Sequence, residues 1–244
     1  MHSCIMWVFS LALMPPPLPV SSSHSNRRGA STARMDIDVR AAHSEELRSA
    51  ELAYLCADCL FQPAGCQERN QLSVEMSKNL VERFSALNDR QHCLLIAEDT
   101  ASGRIVGSCG VEAAPVTPEG RLTPKLSTDA ARMCVRPLLS NLSVDKGYRR
   151  RGIAKWLMCE AEARARWWGY DEMLLKVEEG NTPAEQLYSA MGYHVTGVDQ
   201  LAERPQPGVF RVRWIRTSNT VMRKDLTAPS VQNMFSSVPI LRGL

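Results

Sequence analysis

Apolar positions recur along this chain with two periods, and the switches between them mark its elements. Residues 36–40 (DIDVR) alternate and predict a first strand. Residues 43–61 predict a helix, with Leu47, Leu52 and Leu55 set among charges, and residues 73–87 a second, with Leu80, Val81, Phe84 and Leu87 at helical spacing. The compact run 93–97 (CLLIA) stops at Glu98, Asp99 and Gly103, so it predicts a strand turning into the next one, 104–111 (RIVGSCGV). Residues 115–132 are rich in Pro, Gly, Thr and Ser and predict a loop.

The second half has sharper signals. Residues 136–144 (RPLLSNLSV) predict a strand, 147–152 (GYRRRG) a loop, and 153–168 a helix. Ile153, Leu157, Ala161, Ala165 and Trp168 form one stripe of that helix, with Glu160/Arg164 and Glu162/Arg166 as i,i+4 pairs on its other side and Gly169 as the stop. A strand follows at 173–177. Thr182 as N-cap, Pro183 at the first helical position and Glu185 three after the cap predict the start of the last helix. Its stripe is Ala184, Leu187, Tyr188 and Met191, and Gly192 ends it. Residues 193–198 predict a strand, 200–208 a polar loop with Pro205 and Pro207, and 209–216 with 220–223 the last strand material. This order gives an α/β fold, a partly antiparallel sheet with helices on its faces.

Charge narrows the function classes. The 244 residues carry 29 Lys and Arg against 26 Asp and Glu. Residues 1–35 contain no acid and hold Arg27, Arg28 and Arg34, so the remaining chain is neutral. A neutral body argues against a general nucleic-acid or membrane-surface binder, which needs a basic face. No run is long and apolar enough for a membrane-spanning helix. Residues 1–35 read as a leader: a short apolar run, then Pro15, Pro16 and Pro17, then a Ser-rich stretch with scattered Arg. That composition suits an organelle transit peptide or a two-part signal, with a disordered extension as the plainer reading. Residues 36–226 form the folded domain and 227–244 a flexible tail. Cys56, Cys59 and Cys66 could be read as metal ligands. No second CxxC and no HxxxH accompany them, so buried helix cysteines is the preferred reading and no metal is expected.

The informative segment is SVDKGYRRRGIAK, residues 143–155. A strand runs into a Gly-containing loop and then into a helix whose first N–H groups and positive dipole end suit an anion. Gly152 lets backbone approach a ligand closely, and Arg149, Arg150 and Arg151 add charge. Gly147 and Gly152 have P-loop spacing. Ile153 and Ala154 stand where the Lys and Ser/Thr of a P-loop belong, which argues against nucleotide hydrolysis, and GxGxxG is absent. A pyrophosphate held by backbone amides remains, with a solvated charge patch or an RNA contact through Arg149, Arg150 and Arg151 as the alternatives.

Arg149-x-x-Gly152-x-Ala154 after NLSVD resembles the R/Q-x-x-G-x-G/A signature of the GNAT superfamily of acyl-CoA N-acyltransferases. A second match follows downstream: Asn181, Thr182, Pro183 and Ala184, then Leu187 and Tyr188, then Met191, Gly192 and Tyr193. The resemblance covers about residues 36–225, and its wording is similar to plastid-type acetyltransferases of plants and algae. It implies a mixed, mostly antiparallel sheet with a splayed central strand pair and flanking helices. It also implies acetyl-CoA as co-substrate, bound by the backbone of Leu142, Ser143 and Val144 and by the amides of Arg150, Arg151, Gly152, Ile153, Ala154 and Lys155. Asn181, Thr182 and Pro183 would line the thioester end. The resemblance makes Tyr188 the proton donor to the leaving thiolate, whereas its residues alone read as a core tyrosine.

The resemblance to plastid members implies a protein amine as acceptor, either an N-terminal α-amine or a lysine, and a plastid location. A cytoplasmic enzyme, a small-amine acetyltransferase and a non-catalytic acyl-CoA-binding module are the alternatives. Glu112 and Glu178 are candidates for a water-relayed base.

Overall fold

The computed structural model describes residues 36–85, 91–116 and 134–227. The leader, the end of the tail and most of the 115–132 segment lie outside the described residues. The elements are β1 (Ile37–Ala41), a 3-10 turn (Glu46–Arg48), α1 (Ala50–Leu60), α2 (Cys66–Phe84), β2 (His92–Asp99), β3 (Arg104–Val116) and β4 (Cys134–Val144). After a second 3-10 turn (Lys146–Tyr148) come α3 (Ile153–Trp167), β5 (Glu172–Glu178), α4 (Thr182–Ala190), β6 (His194–Gln206) and β7 (Arg213–Asp225).

The seven strands form one sheet in the order β1-β2-β3-β4-β5-β7-β6. Every neighbouring pair is antiparallel except β4 and β5. Side-chain alternation divides the core between the two faces. Leu95, Val106, Cys109, Leu139 and Leu175 pack with Leu157, Met158 and Ala161 of α3 and Tyr188 of α4. On the opposite face Leu94, Ile96 and Ile105 pack with Leu52 and Cys56 of α1 and Leu72, Leu80 and Phe84 of α2. No described helix is long and apolar enough to cross a membrane.

Several boundaries differ from the sequence reading. The first helical segment breaks at Ser49, whose hydroxyl accepts from the Leu52 amide at 3.2 Å and caps α1. Helix α2 starts at Cys66 because its first turns are polar all round, and the apolar stripe begins only at Leu72. Strand β3 runs on to Val116. Residues 200–206 are not loop: β6 continues through them, paired with β7 from Ala202↔Thr217 to Gln206↔Arg213. Pro205 is tolerated because β6 is an edge strand. Glu162 is not on an exposed side of α3. It is buried, and Lys224 of β7 donates to both its oxygens at 2.7 and 2.8 Å.

Helices α3 and α4 end alike. In α3 the Tyr170 amide reaches the Ala165 carbonyl and the Gly169 amide that of Arg166; in α4 Tyr193 reaches Tyr188 and Gly192 reaches Ser189. Both glycines are left-handed, with φ of 89° and 90°. The second closure sets Tyr193 edge-on to Tyr188, ring centroids 6.3 Å apart.

Candidate functional site

Strands β4 and β5 pair in parallel only at Leu138↔Leu174 and Leu139↔Leu175. Beyond that point they diverge. β5 stays with β7 along its whole length, from Glu172↔Asp225 to Glu178↔Asn219. β4 stays with β3, but Ser140 pairs Gly110 and Ser143 pairs Ser108, so two β4 residues oppose the single Cys109. Asn141, in that bulge, has φ of 51°. The result is a fork in the middle of the sheet, with a free backbone edge on β4.

The three sequence-derived residues on that edge are not equivalent. The Asp145 amide bonds the Val106 carbonyl, so Ser143 exchanges both backbone bonds with Ser108, while Leu142 and Val144 turn theirs to the open side. The Val144 carbonyl is already occupied: Arg149 Nε donates to it at 3.0 Å and Cys59 Sγ at 3.3 Å. That leaves the Val144 amide and both Leu142 groups as the available edge. Cys56 Sγ lies 3.4 Å from Ser108 Oγ. Burial pushes the Cys56 thiol up to about 11.

The fork opens toward the start of α3. Arg150 and Gly152 are both left-handed, φ 62° and 85°, and this turns the chain into the helix. Gly152 is the N-cap and offers no side-chain cap. Among the described residues, the amides of Arg150, Gly152, Ile153, Ala154 and Lys155 have no protein acceptor; the first helical bond is Trp156 to the Gly152 carbonyl at 3.0 Å. A run of unpaired N–H groups at a positive dipole end is what a diphosphate requires. A Cβ at Gly152 would meet nothing within 4 Å, so the space in front of the turn is open.

Helix α4 begins differently. Asn181, not Thr182, is the N-cap: its side chain accepts from the Ala184 amide at 3.4 Å, which places Thr182 and Pro183 in the first turn. The shift by one residue is possible because a proline is harmless anywhere in the first turn, where amides lack helical partners. Asn181, Thr182 and Pro183 are exposed at the end of β5, beyond the fork. Tyr188 sits one face inward, 8% exposed, in the cluster with Leu139 and Leu175, the last residue pair before the strands part. Its hydroxyl has no hydrogen bond to a described residue. Burial, with a smaller contribution from the Cys109 thiol, raises its pKa well above that of an ordinary phenol.

Two ion pairs that the sequence reading missed flank the fork on the α1/α2 face. Glu112 of β3 is clamped by the guanidinium of Arg83, which also donates to Ser140 Oγ at 2.9 Å. Glu112 is therefore a held carboxylate. Lys176, the first β5 residue past the fork, donates to Asp199 Oδ2 of β6 at 2.6 Å, both nearly buried. A lone charge inside MLLKVE was a signal for Lys176; Asp199 gave none. Glu178 is exposed, near Thr217 Oγ1 at 3.3 Å and Arg204 at 3.4 Å. A further cleft of about 640 Å³ lies between α1 and the Asp145–Lys146 turn. Its charges neutralise one another through Arg69–Asp58 and Arg104–Asp145.

Comparison with known proteins agrees with this architecture. The family model described as acetyltransferase (GNAT) family matches residues 57–193, more than half of the chain. GCN5-related N-acetyltransferase 4, chloroplastic, of Arabidopsis thaliana is 33% identical over 89 residues, which span 34% of this chain and 31% of that relative. Chaetomium thermophilum Naa20, solved with a bisubstrate analogue, superposes with a TM-score of 0.53 at 20% identity, over 78% of this chain and 87% of its own. The ribosomal-protein-S18-alanine N-acetyltransferase of Escherichia coli does so at 0.51 and 13%, over 80% and 97%. A chain of the NatC complex bound to Gag peptide and CoA gives 0.51 and 19%, over 78% and 99%. These structural likenesses establish a shared fold, and by the family match the chain belongs to the acetyltransferase (GNAT) family.

Proposed function

We propose that this protein transfers an acetyl group from acetyl-CoA to an amine on a polypeptide, an N-terminal α-amine or a lysine, by direct attack in a ternary complex. One observation carries the reading: a fork between β4 and β5 that opens onto the uncapped, amide-rich start of α3. The open edge at Leu142 and Val144 would hold the pantetheine arm as an added strand, with Ser143 keeping β4 in place. The amides from Arg150 to Lys155 would hold the diphosphate, and Asn181, Thr182 and Pro183 would border the thioester end.

Bound acetyl-CoA supplies an activated acyl thioester. The protein positions the acceptor amine against its carbonyl carbon. As the C–N bond forms and the C–S bond breaks, Tyr188 donates its proton to the sulfur. Its raised pKa keeps it protonated throughout the range in which an amine can be neutral. The proton lost by the amine passes to solvent, and the Tyr188 phenolate takes one back from solvent, so the cycle closes as amine plus acetyl-CoA giving amide plus free thiol. An α-amine, with a pKa of about 8, needs little help to shed it. Glu178 is exposed to solvent, whereas Glu112 is buried and held by Arg83.

The protein acceptor is supported by the resemblance to plastid acetyltransferases and by the names of the fold neighbours, which include a ribosomal-protein acetyltransferase and a peptide-bound NatC chain. The leader composition and the chloroplastic Arabidopsis relative support a plastid address. The test is to incubate the full chain with labelled acetyl-CoA and a peptide library, then locate the label by mass spectrometry. Label on peptide N-termini or lysines is expected. Transfer to small amines alone would sink the reading in favour of a small-amine enzyme. Tight acyl-CoA binding without any transfer would favour a binding module.

A further inference from the structure

The neutral charge of the body conceals a local imbalance. From Arg204 to Lys224 there is no Asp or Glu, yet the stretch carries six basic side chains. Three are matched from elsewhere: Arg204 by Glu178, Arg223 by Glu172 and Lys224 by Glu162. Arg216 faces Glu203 across the β6–β7 ladder, whereas Arg211 and Arg213, at the far end of the hairpin, form no ion pair with a described residue. Beside them stands Phe210, 94% exposed, with Val209 and Trp214 also exposed.

The hairpin end is held in a defined place. Gln67 and Gln71 of α2 donate from Nε2 to the carbonyls of Val209 and Gly208 at 3.0 and 3.1 Å. These bonds use backbone acceptors only, so the arginine and phenylalanine side chains are left available. The turn is tight at Gly208, where a Cβ would come within 2.6 Å of the Arg211 carbonyl oxygen. Val209, Phe210, Arg211 and Arg213 then line a cleft of about 360 Å³. Alternation along β7 puts Arg213 on the face opposite Met222, the α1/α2 face on which Lys176 and Ser140 flank the fork.

We propose that this hairpin end recognises acidic residues of the acceptor polypeptide, carboxylates pairing with Arg211 and Arg213 while an apolar neighbour covers Phe210. The proposal rests on the protein-acceptor reading above. Guanidinium groups match carboxylates with two parallel bonds, and unneutralised arginines on an exposed rim draw an acidic chain in. Arg213 lies eight residues along β7 from Val221, the partner of Lys176. At about 3.3 Å per residue that is roughly 26 Å, so an extended acceptor would present its acids about seven to nine residues from the reacting amine.

The test uses the full chain and three peptides that share one acceptor amine and differ only at residues seven to nine: all Glu, all Gln or all Lys. At low salt the Glu peptide should show about tenfold or greater kcat/KM over Gln, and Gln over Lys, expressed in KM with kcat little changed. The spread should shrink in high salt, because exposed charges are screened. Arg211→Glu with Arg213→Glu should reverse the order, and its melting temperature reports whether the hairpin still folds. Arg211→Gln with Arg213→Gln should abolish the order if charge reversal proves too disruptive. Equal kcat/KM for the three peptides, or a preference that survives both double variants, overturns the proposal. So does loss of single-stranded RNA binding in the variants without any peptide preference in the parent, which would assign the hairpin to nucleic acid. Failure to acetylate any peptide, with small amines modified instead, sinks the protein-acceptor reading itself.

Discussion

Replacing Tyr188 by Phe removes one oxygen atom and little else, which makes it the sharpest test of the chemistry. The Tyr188 ring packs edge-on to Tyr193 at 6.3 Å and within the cluster around Leu139 and Leu175, contacts that a phenylalanine retains. Its hydroxyl has no hydrogen bond to a described residue, so deletion leaves no orphaned partner, and the stability change should stay within about 1 kcal/mol. If that hydroxyl protonates the departing thiolate, turnover should fall by about 10²–10⁴-fold, or roughly 2.7–5.5 kcal/mol of barrier. The measurements are kcat by chromatography of acetylated peptide, acyl-CoA affinity by calorimetry and unfolding by urea. A large loss of kcat with unchanged affinity and midpoint is expected. Unchanged kcat in a folded, CoA-binding variant would remove Tyr188 from the reaction. Tyr188→Ala would be a poor substitute, because the cavity alone costs about 3–5 kcal/mol and confounds the two effects.

Other perturbations test the frame around the site. Glu162→Gln should cost about 3–5 kcal/mol, because it strands Lys224 in a buried position; a urea midpoint shift worth less than about 1 kcal/mol would show the pair to be dispensable. Alkaline pH should destabilise the fold. Burial pushes Cys56 up to about 11 and raises Cys109, Tyr188 and Tyr193 as well. The unfolded chain therefore gives up these protons first, and the stability present below about pH 9 is lost as pH rises through 11, by about 3 kcal/mol for Cys56 alone. A melting temperature that stays flat from pH 8 to 11 contradicts this. Gly152→Val should strain a φ of +85° by about 1–2 kcal/mol and set side-chain atoms before the amide cradle, lowering acyl-CoA affinity more than tenfold; unaltered affinity would place the diphosphate elsewhere.

What the chain disclosed about itself follows the range of each interaction. The α3 stripe was legible because Ile153, Leu157, Ala161 and Ala165 are spaced to meet one neighbour, and all four are buried. The Glu162–Arg166 pair was legible as an i,i+4 contact, but the burial of Glu162 was not, because Lys224 arrives 62 residues later. The loop 147–152 was legible as the entry to a helix whose first amides lack partners, since strand, glycine and helix start are contiguous. The path of Arg149 back to the Val144 carbonyl was not, because a long side chain has many options. β6 was cut short at its prolines because edge position, which makes Pro205 acceptable, is a property of the sheet and not of the segment. The fork left no mark in the periodicity and entered only through family resemblance.

Why the fork stays open has a physical answer in strand pairing. β4 and β5 each have a full-length antiparallel partner, β3 and β7, and share only two residue pairs with each other. Zipping them further would require peeling one from its own partner or removing the bulge at Asn141. The bulge lengthens β4 by one residue against β3 and bends it away from β5. Side chains hold each arm to its own half. Arg83 ties Ser140 to Glu112 of β3, while Lys176 is drawn toward Asp199 of β6. The separation is thus built in before any ligand arrives, and a bound chain that offers backbone partners to Leu142 and Val144 completes hydrogen bonds that the sheet itself cannot make.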